Sequence, residues 1–407
     1  MEVRDHYPIV AEPGGDYVTH VTLSKGSKGK DIAKEIVAVV RERKVQLRVL
    51  GMDGCSTNCG IHKGVFRCVE LELDEAVQHV VCQIHCNELF FRHMFEEVDG
   101  VTLGPEKLEG PIGSTLDREI WLEPVVAFKP VEGKMPIMPE FVMKDLSRDQ
   151  KLAYRWGHAV QSGVVPDDLV GQTIGPLCHS RWLTRGVRTL AKFVRTKKPT
   201  KKFVRIVFFI VNFYFPGWFM IRLRPQIQDG ARNLQYLLTL SKSLPSDDQE
   251  IVRRVMAGNS HWAHAENVSI ACLADPDEEV RRKGVKYIME ARKAYKEDDE
   301  VRKFVPAEIN FDSERFCDLI DLETAEKWEP PVTKDLSEET LLSAFASPLI
   351  LPAYPNNTVN VEQMVRVVTE SATKRVGYQG RHRLILQKLK SRQMVKSYNS
   401  KMQDAKF

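Results

Sequence analysis

The stretch from Gln46 to Phe95 constrains the fold of this chain more than any other. An apolar run, Leu47 to Met52, ends on Asp53 and breaks into Gly54-Cys55-Ser56-Thr57-Asn58. That pattern predicts a short buried strand with a carboxylate at its carboxyl end, the side of an open α/β sheet where ligands bind. A helix follows, with Val65, Val69 and Leu73 on one stripe. A second apolar strand, His79 to Ile84, then delivers Cys82, His85 and Asn87 into the start of another helix. A strand-end aspartate alone has two readings: a ligand-binding carboxylate, or a residue that caps the next turn.

Before this stretch, His6 to Ala11 and Tyr17 to Leu23 flank the turn Pro13-Gly14-Gly15-Asp16 and read as a hairpin. Asp31 to Arg43 is amphipathic, with Ile32, Ile36, Val37 and Val40 on one face. The order strand, strand, helix, strand, helix, strand, helix predicts a mixed sheet with helices on its faces. Asp99 to Glu140 is rich in Gly and Pro and carries one candidate strand, Glu119 to Ala127. From about Ser147 the periodicity is helical only, as in Leu152, Trp156 and Val160, then in Leu234, Leu237 and Leu238. Ser246-Asp247-Asp248-Gln249 fits a capping box, and Asp275-Pro276-Asp277-Glu278 a helix start. No fixed-period repeat is visible. Linkers at Glu329-Pro330-Pro331 and Ser347-Pro348 to Pro355 precede a helix from Asn360 to Thr373, with Val361, Val365 and Val368 inward. The expected fold class is α/β plus all-α. Its expected divisions are an α/β region over residues 1–128, a helical insertion over 129–350, a closing helix over 351–376 and a basic tail over 377–407.

A composition of 43% hydrophobic and 28% charged residues is ordinary for a globular chain, and a net charge of +4 names no nucleic-acid partner by itself. The distribution of that charge says more. Ala372 to Phe407 carries ten Lys/Arg against one Asp, including Lys374, Arg375, Arg381 and Arg383. It reads either as a phosphate-binding arm or as a solvated end. The run Arg195 to Lys202, with Lys197 and Lys198, is a solvated face or a DNA contact.

The eight cysteines are Cys55, Cys59, Cys68, Cys82, Cys86, Cys178, Cys272 and Cys317, and the charged start Met1-Glu2-Val3-Arg4-Asp5 has no apolar core of a signal peptide. Reduced thiols in a nuclear or cytoplasmic protein are therefore expected. Cys55-x3-Cys59 with Cys82-x2-His85 has spacing that a structural zinc site tolerates. His62, His79 and His93 have no nameable partner and read as ordinary histidines. Phe203 to Ile221 is long enough for a membrane span, but it holds Arg205, Asn212 and Pro216-Gly217. With Pro216 ending the helix, the uninterrupted stretch is too short to cross, which predicts a core helix and no membrane partner. There is no Gly-rich phosphate loop and no Ser or Cys nucleophile with His and acid at recognisable spacing, so neither a hydrolase triad nor a small-molecule substrate is expected.

Leu50-Gly51-Met52-Asp53 followed by Cys82-x-x-His85-x-Asn87-x-Leu89 resembles the middle of an hAT-type transposase, a ribonuclease H-like enzyme. His179-Ser180-Arg181-Trp182-Leu183-Thr184 resembles the Arg-Trp block of that family's helical insertion. Tyr354-Pro355 to Val361-Glu362-Gln363-Met364 resembles the block that carries its last catalytic Glu. Cys82–Phe95, Asp99-Gly100, Gly110-Pro111-Ile112-Gly113 and His264-Ala265-Glu266-Asn267 look like a set of transposon-derived invertebrate proteins.

The resemblance implies a ribonuclease H-like mixed sheet with a large helical insertion and a closing helix. Its chemistry uses three carboxylates that hold two Mg2+ or Mn2+ ions for phosphodiester strand transfer. Asp53 matches the second carboxylate and metal ligand, and Glu362 the third, with Glu370 in reserve. Arg181 and Trp182 match a pair placed beside DNA, and Cys82, His85 and Asn87 a positioning motif. The first carboxylate has no counterpart, because Asp5 precedes a strand and Asp16 lies in a turn. The strand that would carry it is also the central one joining the hairpin to the Asp53 strand, and its loss leaves backbone groups unpaired. The expected protein is therefore a transposase derivative with an incomplete sheet, truncated at its start, that does not catalyse strand transfer but keeps residual DNA binding. Two alternatives stand beside it: an active two-metal nuclease whose true start lies upstream, and a self-associating or partner-binding module built on the helical insertion.

Overall fold

The computed structural model describes residues 4–24, 26–116, 119–259, 261–294, 301, 303–304, 307–371 and 380–391, with the backbone alone at 4 and 178–180. In chain order its elements begin β1 (Arg4–Ala11), β2 (Asp16–Ser24), α1 (Gly29–Arg43), β3 (Val49–Met52), α2 (Ser56–Cys59), α3 (Val65–Leu73), β4 (Gln78–Val81) and α4 (Gln83–Asp99). Helices follow: α5 (Glu140–Asp145), α6 (Arg148–Ser162), α7 (Asp167–Val170), α8 (Leu177–Phe193), α9 (Lys201–Phe209), α10 (Phe215–Leu223) and α11 (Gly230–Ser241). The series ends with α12 (Ser246–Asn259), α13 (Ala265–Leu273), α14 (Glu278–Ala294), α15 (Glu338–Ser343), α16 (Val359–Glu370) and a helix at 380–391.

The chain divides into two compact units, 1–79 with 300–304 and 352–407, and 80–299 with 305–351. The boundary falls at 79/80 rather than at the expected 128. The reason is where α4 puts its aromatic residues: Phe90 meets Phe213, and Phe91 stacks on Tyr214 at 4.5 Å.

In the first unit, β1 and β2 form the expected antiparallel hairpin, from Arg4 opposite Ser24 to Ala11 opposite Asp16. Gly15 turns it with φ +76° and donates its N–H to Glu12 Oε2 at 2.9 Å. Helices α1 and α3 bury Ile32, Ala33, Val37, Val65 and Val69 in one core, the stripes that periodicity predicts. Tyr7 and Leu23 of the hairpin and Leu50 and Met52 of β3 pack against that same core. The strands do not form one mixed sheet, however. β1 pairs with β2, and β3 with β4, in two separate two-stranded sheets. Among the described residues no strand links them. β4 is buried along its whole length, whereas the described residues of β1 and β3 are partly exposed.

Helix α16 packs on β1, and Val367, Val368 and Ile385 form a small core with Tyr17 and Leu389. The inward residues of α16 are therefore Val367 and Val368, while the expected Val365 is 40% exposed. Valines lie on several sides of this helix, so periodicity alone does not choose the buried stripe. Within the basic tail, 380–391 is a helix whose Ile385 is fully buried, so this part is not a solvated end.

The second unit is helical. Its core rod is α9, a π-helical stretch Ile210–Tyr214, and α10, which run as one helix from Lys201 to Leu223 that is long and apolar enough to span a membrane. Its apolar window is 78% buried within the protein, as a core helix would be. Pro216 does not end it, contrary to expectation. Phe215 N–H reaches back to Ile210 O, the wide turn of a π-bulge, and that register accommodates a proline within a continuing helix. Asn212 caps the adjustment by donating Nδ2 to Phe208 O and Glu132 O.

The expected strand at Glu119–Ala127 is absent; a 3-10 turn, Ile120–Leu122, stands there. The extended segment after it gives single N–H bonds to helix carbonyls instead: Val126 to Val194, Val131 to Val160 and Lys134 to Val211. The expected capping box at Ser246 is not formed either. Asp248 and Gln249 donate to Pro245 O, and the buried Asp248 carboxylate accepts from Arg205 Nε at 2.7 Å. Asp277 does cap α14, accepting Glu279 N–H at 2.9 Å.

Candidate functional site

In the first unit Asp53 follows the last residue of β3, as the sequence predicts. Its Oδ1 accepts from Cys55 N–H at 3.2 Å and Asn58 Nδ2 at 2.7 Å, and its carbonyl accepts from Asn58 Nδ2 and Cys59 Sγ. The carboxylate thus shapes the turn into α2, so the capping reading has its hydrogen bonds. Burial pushes the Cys55 thiol up to about 11, with the Asp53 charge adding to it. Burial pushes Cys59 up to about 12, helped by Cys55 and Asp53. Both sulfurs are neutral thiols at neutral pH, poor ligands and nucleophiles in that state.

Glu362 is exposed on the first turn of α16, and Glu370 is exposed on its last turn, 3.7 Å from Lys388 Nζ. Asp5 Oδ2 accepts Gly26 N–H at 3.1 Å, a loop contact. Among the described residues no three His, Cys, Asp or Glu stand together as metal ligands. That holds for the spacing-based zinc set Cys55, Cys59, Cys82 and His85 as well. The described residues do not gather the carboxylates that a pair of Mg2+ or Mn2+ ions needs, and one oxygen of Asp53 already serves two local donors.

In the second unit the motif residues head α4. Cys82 is not inside a strand but is the N-cap of this helix, 2% exposed. The ladder stops at Val81, whose carbonyl accepts Trp262 Nε1 at 2.7 Å. Asn87 donates Nδ2 to Tyr214 O at 3.0 Å, and His85 is half-buried beside it in sequence. Glu88, buried, lies 3.9 Å from Arg181 Nη2. Burial raises the Tyr214 hydroxyl well above its ordinary pKa, the Glu88 charge adds to that, and Arg181 opposes it. A cluster of Glu88, Arg181 and Tyr214 thus surrounds the motif, and sequence reasoning expects neither Glu88 nor Tyr214 there. The sequence does hold a signal for Glu88: a carboxylate on the stripe of Ile84, Phe91 and Phe95.

Trp182 is 5% exposed and meets Phe91 edge-on at 5.7 Å. This ring anchors α8 to α4, and of the pair Arg181 reaches solvent. The basic run splits in the same way. Arg195 is buried, donates to the carbonyls of Glu123, Ala191 and Val170, and stands over the Trp156 ring. Lys197 and Lys198 are exposed between α8 and α9. In the tail, Lys374 and Arg375 lie outside the described residues, Arg381 is half-buried against His6, and Arg383 is exposed.

Other singled-out residues have structural roles. Asp99 accepts the N–H groups of Ile112 and Gly113, and Gly110 lies so close to Asp99 that a side chain there would collide with it. Asn267 donates to His261 O at 2.7 Å. His79 has partners the sequence does not disclose: Glu70 Oε1 at 2.9 Å from its Nε2 and the flanking rings of Phe66 and Phe304. His93 pairs with Glu96, and His62 lies near Lys303. No family model matches this chain, and no curated protein and no solved structure is significantly similar to it.

Proposed function

We propose that these 407 residues are a transposase-derived protein of the hAT type, catalytically defective, that keeps weak DNA binding through its exposed cations. The observation that carries the reading is the divided sheet. A ribonuclease H-like sheet places its first strand between the hairpin and the strand that ends in the second carboxylate. Without that strand, a hairpin and a separate strand pair remain, laid on the same helices. The chain has this arrangement: β1–β2 and β3–β4 share no described strand, yet Tyr7, Leu23, Leu50 and Met52 pack on one α1/α3 core. The order of elements supports the same reading, since a helical block separates α4 from α16, which bears Glu362.

Asp53 and Glu362 supply two carboxylates where two-metal strand transfer needs three, so no catalytic step follows from these residues. DNA contact falls to Arg181, Lys197, Lys198 and Arg383, which reach solvent. Such contacts neutralise phosphates without reading bases and weaken steeply as salt rises.

The test has two arms on the same preparation. Anisotropy of a labelled duplex across a salt series is expected to give weak binding with a negative log–log slope. Incubation of supercoiled plasmid with Mn2+ is expected to give no nicking above the protein-free blank. Nicking that Asp53→Asn abolishes would overturn the defective-enzyme reading, and salt-independent or absent binding would overturn the DNA arm. The reading also expects nicking to appear in a chain extended by a strand that carries an aspartate and pairs between β1 and β3.

A further inference from the structure

The first unit concentrates imidazoles where helix 380–391 meets the hairpin. His6 comes from β1, His20 from β2 and His382 from the helix, with Arg381 beside them. The His6 and His20 rings are 6.2 Å apart, Tyr17 and His382 are 5.9 Å apart, and Tyr17 Oη is 2.7 Å from His20 Nδ1. Arg381 Nη1 lies 3.2 Å from His6 Nε2. The same Nη1 lies 3.4 Å from His6 Nδ1, so the fixed guanidinium charge sits across the imidazole. On its other side His6 Nδ1 bonds Thr22 Oγ1 at 2.9 Å. The contact between helix and hairpin thus sets a permanent cation against an imidazole.

We propose that the hairpin and helix 380–391 form a latch that acidification opens, undocking the helix from β1 and β2. His20 is 1% exposed. The charged or titratable groups acting on it are His6 from β1 and Arg381 and His382 from the helix, all of them cationic or able to become so, while Tyr17 of β2 holds its Nδ1. From α16, Val367 and Val368 join the neighbouring core, and Glu370 lies 3.7 Å from Lys388 Nζ of the helix. Burial, then His6, Arg381 and His382, hold the His20 pKa down to about 4. A histidine whose docked pKa lies below its ordinary 6.5 stabilises the docked state fully above 6.5 and loses that contribution as pH falls toward 4. Protonation of His6 sets two cations in contact. Both effects push the helix away in the same direction.

Hydrogen–deuterium exchange of the full chain tests the latch, with rates corrected for intrinsic exchange and α1 of the same unit, which buries Ile32, Ala33 and Val37, as internal reference. Amides of 380–391 are expected to exchange at least tenfold faster at pH 5 than at pH 7.5, reversibly, while α1 keeps its protection. Equal protection of 380–391 at both pH values would overturn the proposal, as would simultaneous loss in α1, which reports unfolding rather than unlatching. His20→Gln keeps a polar partner for Tyr17 and removes the buried titration, so opening should move to lower pH. Should His20→Gln be undocked already at pH 7.5, Arg381→Gln gives the same reading by removing the fixed charge. An unchanged opening pH in the readable variant sinks the idea.

Discussion

Asn87, on the first helix after the β3–β4 pair, donates its side-chain amide to the carbonyl of Tyr214 at 3.0 Å. Tyr214 closes the π-helical stretch that lets Pro216 stay inside a continuous helix. The motif residue and the proline thus belong to one arrangement in which α4 supports an irregular turn of the core rod. Asn87 is fully buried, so Asn87→Ala leaves the Tyr214 carbonyl without this donor in an apolar setting. The expected loss is about 1–3 kcal/mol, read as a lower urea midpoint at unchanged slope. No loss would show that the amide contact does not support the rod.

Gly217 makes the same junction tight. A Cβ there would run into Leu237 and come within 2.9 Å of Asn87 Oδ1. Gly217→Ala should therefore destabilise by about 1–3 kcal/mol, although alanine is the better helix former. A gain in melting temperature on this substitution would mean that the Asn87 and Leu237 side chains move aside freely.

How much of this is legible in the sequence follows from the range of each interaction. The hairpin, α1 and α3 are readable because alternation and the spacing of Ile32, Val37, Val65 and Val69 are local signals. Asp53 at the end of β3 is readable for the same reason. The split sheet is not a local property, since a strand pattern does not say which strand it will pair with. Pro216 misleads because a breaker read by itself carries no trace of the π register at Ile210–Tyr214 or of the Asn87 donor, which comes from α4. Trp182 is set beside DNA by the resemblance alone, and the Phe91 ring that packs against it is a long-range contact that no motif discloses. His79 likewise looks solitary until Glu70 is placed 2.9 Å away.

The turn after Asp53 makes a prediction about thiol chemistry. Burial first, and then the Asp53 charge, raise Cys55 from 9.0 to about 11. An acid whose folded pKa lies above its unfolded value adds stability below pH 9 and loses it as pH rises toward 11. The folded thiol at pH 8 is thus about a hundredfold poorer in thiolate than the unfolded one. Iodoacetamide should label Cys55 at least tenfold more slowly in the native chain than in urea at pH 8. The native rate should climb with each pH unit up to about 11. Equal labelling rates in the two states would show that the native turn does not bury this sulfur.

The lysine turn and the buried tryptophan separate binding from folding. Lys197 and Lys198 are exposed between α8 and α9, so they can meet phosphates without any change in the core. Replacing both with Gln should reduce the steepness of the log–log salt dependence of DNA binding by about 2, near 0.9 for each phosphate no longer neutralised. The unfolding midpoint should stay where it was, because exposed substitutions of this kind shift stability by about 0.5 kcal/mol or less. Trp182→Ala should do the reverse. Its ring fills the space between α8 and α4 against Phe91 and Phe95, so its loss should cost about 3–5 kcal/mol of stability. The salt slope of whatever chain remains folded should not change, since a buried ring neutralises no phosphate. If instead Trp182→Ala weakened DNA binding at unchanged stability, the ring would have to leave its pocket to reach the duplex, and α8 rather than the lysine turn would be the binding surface.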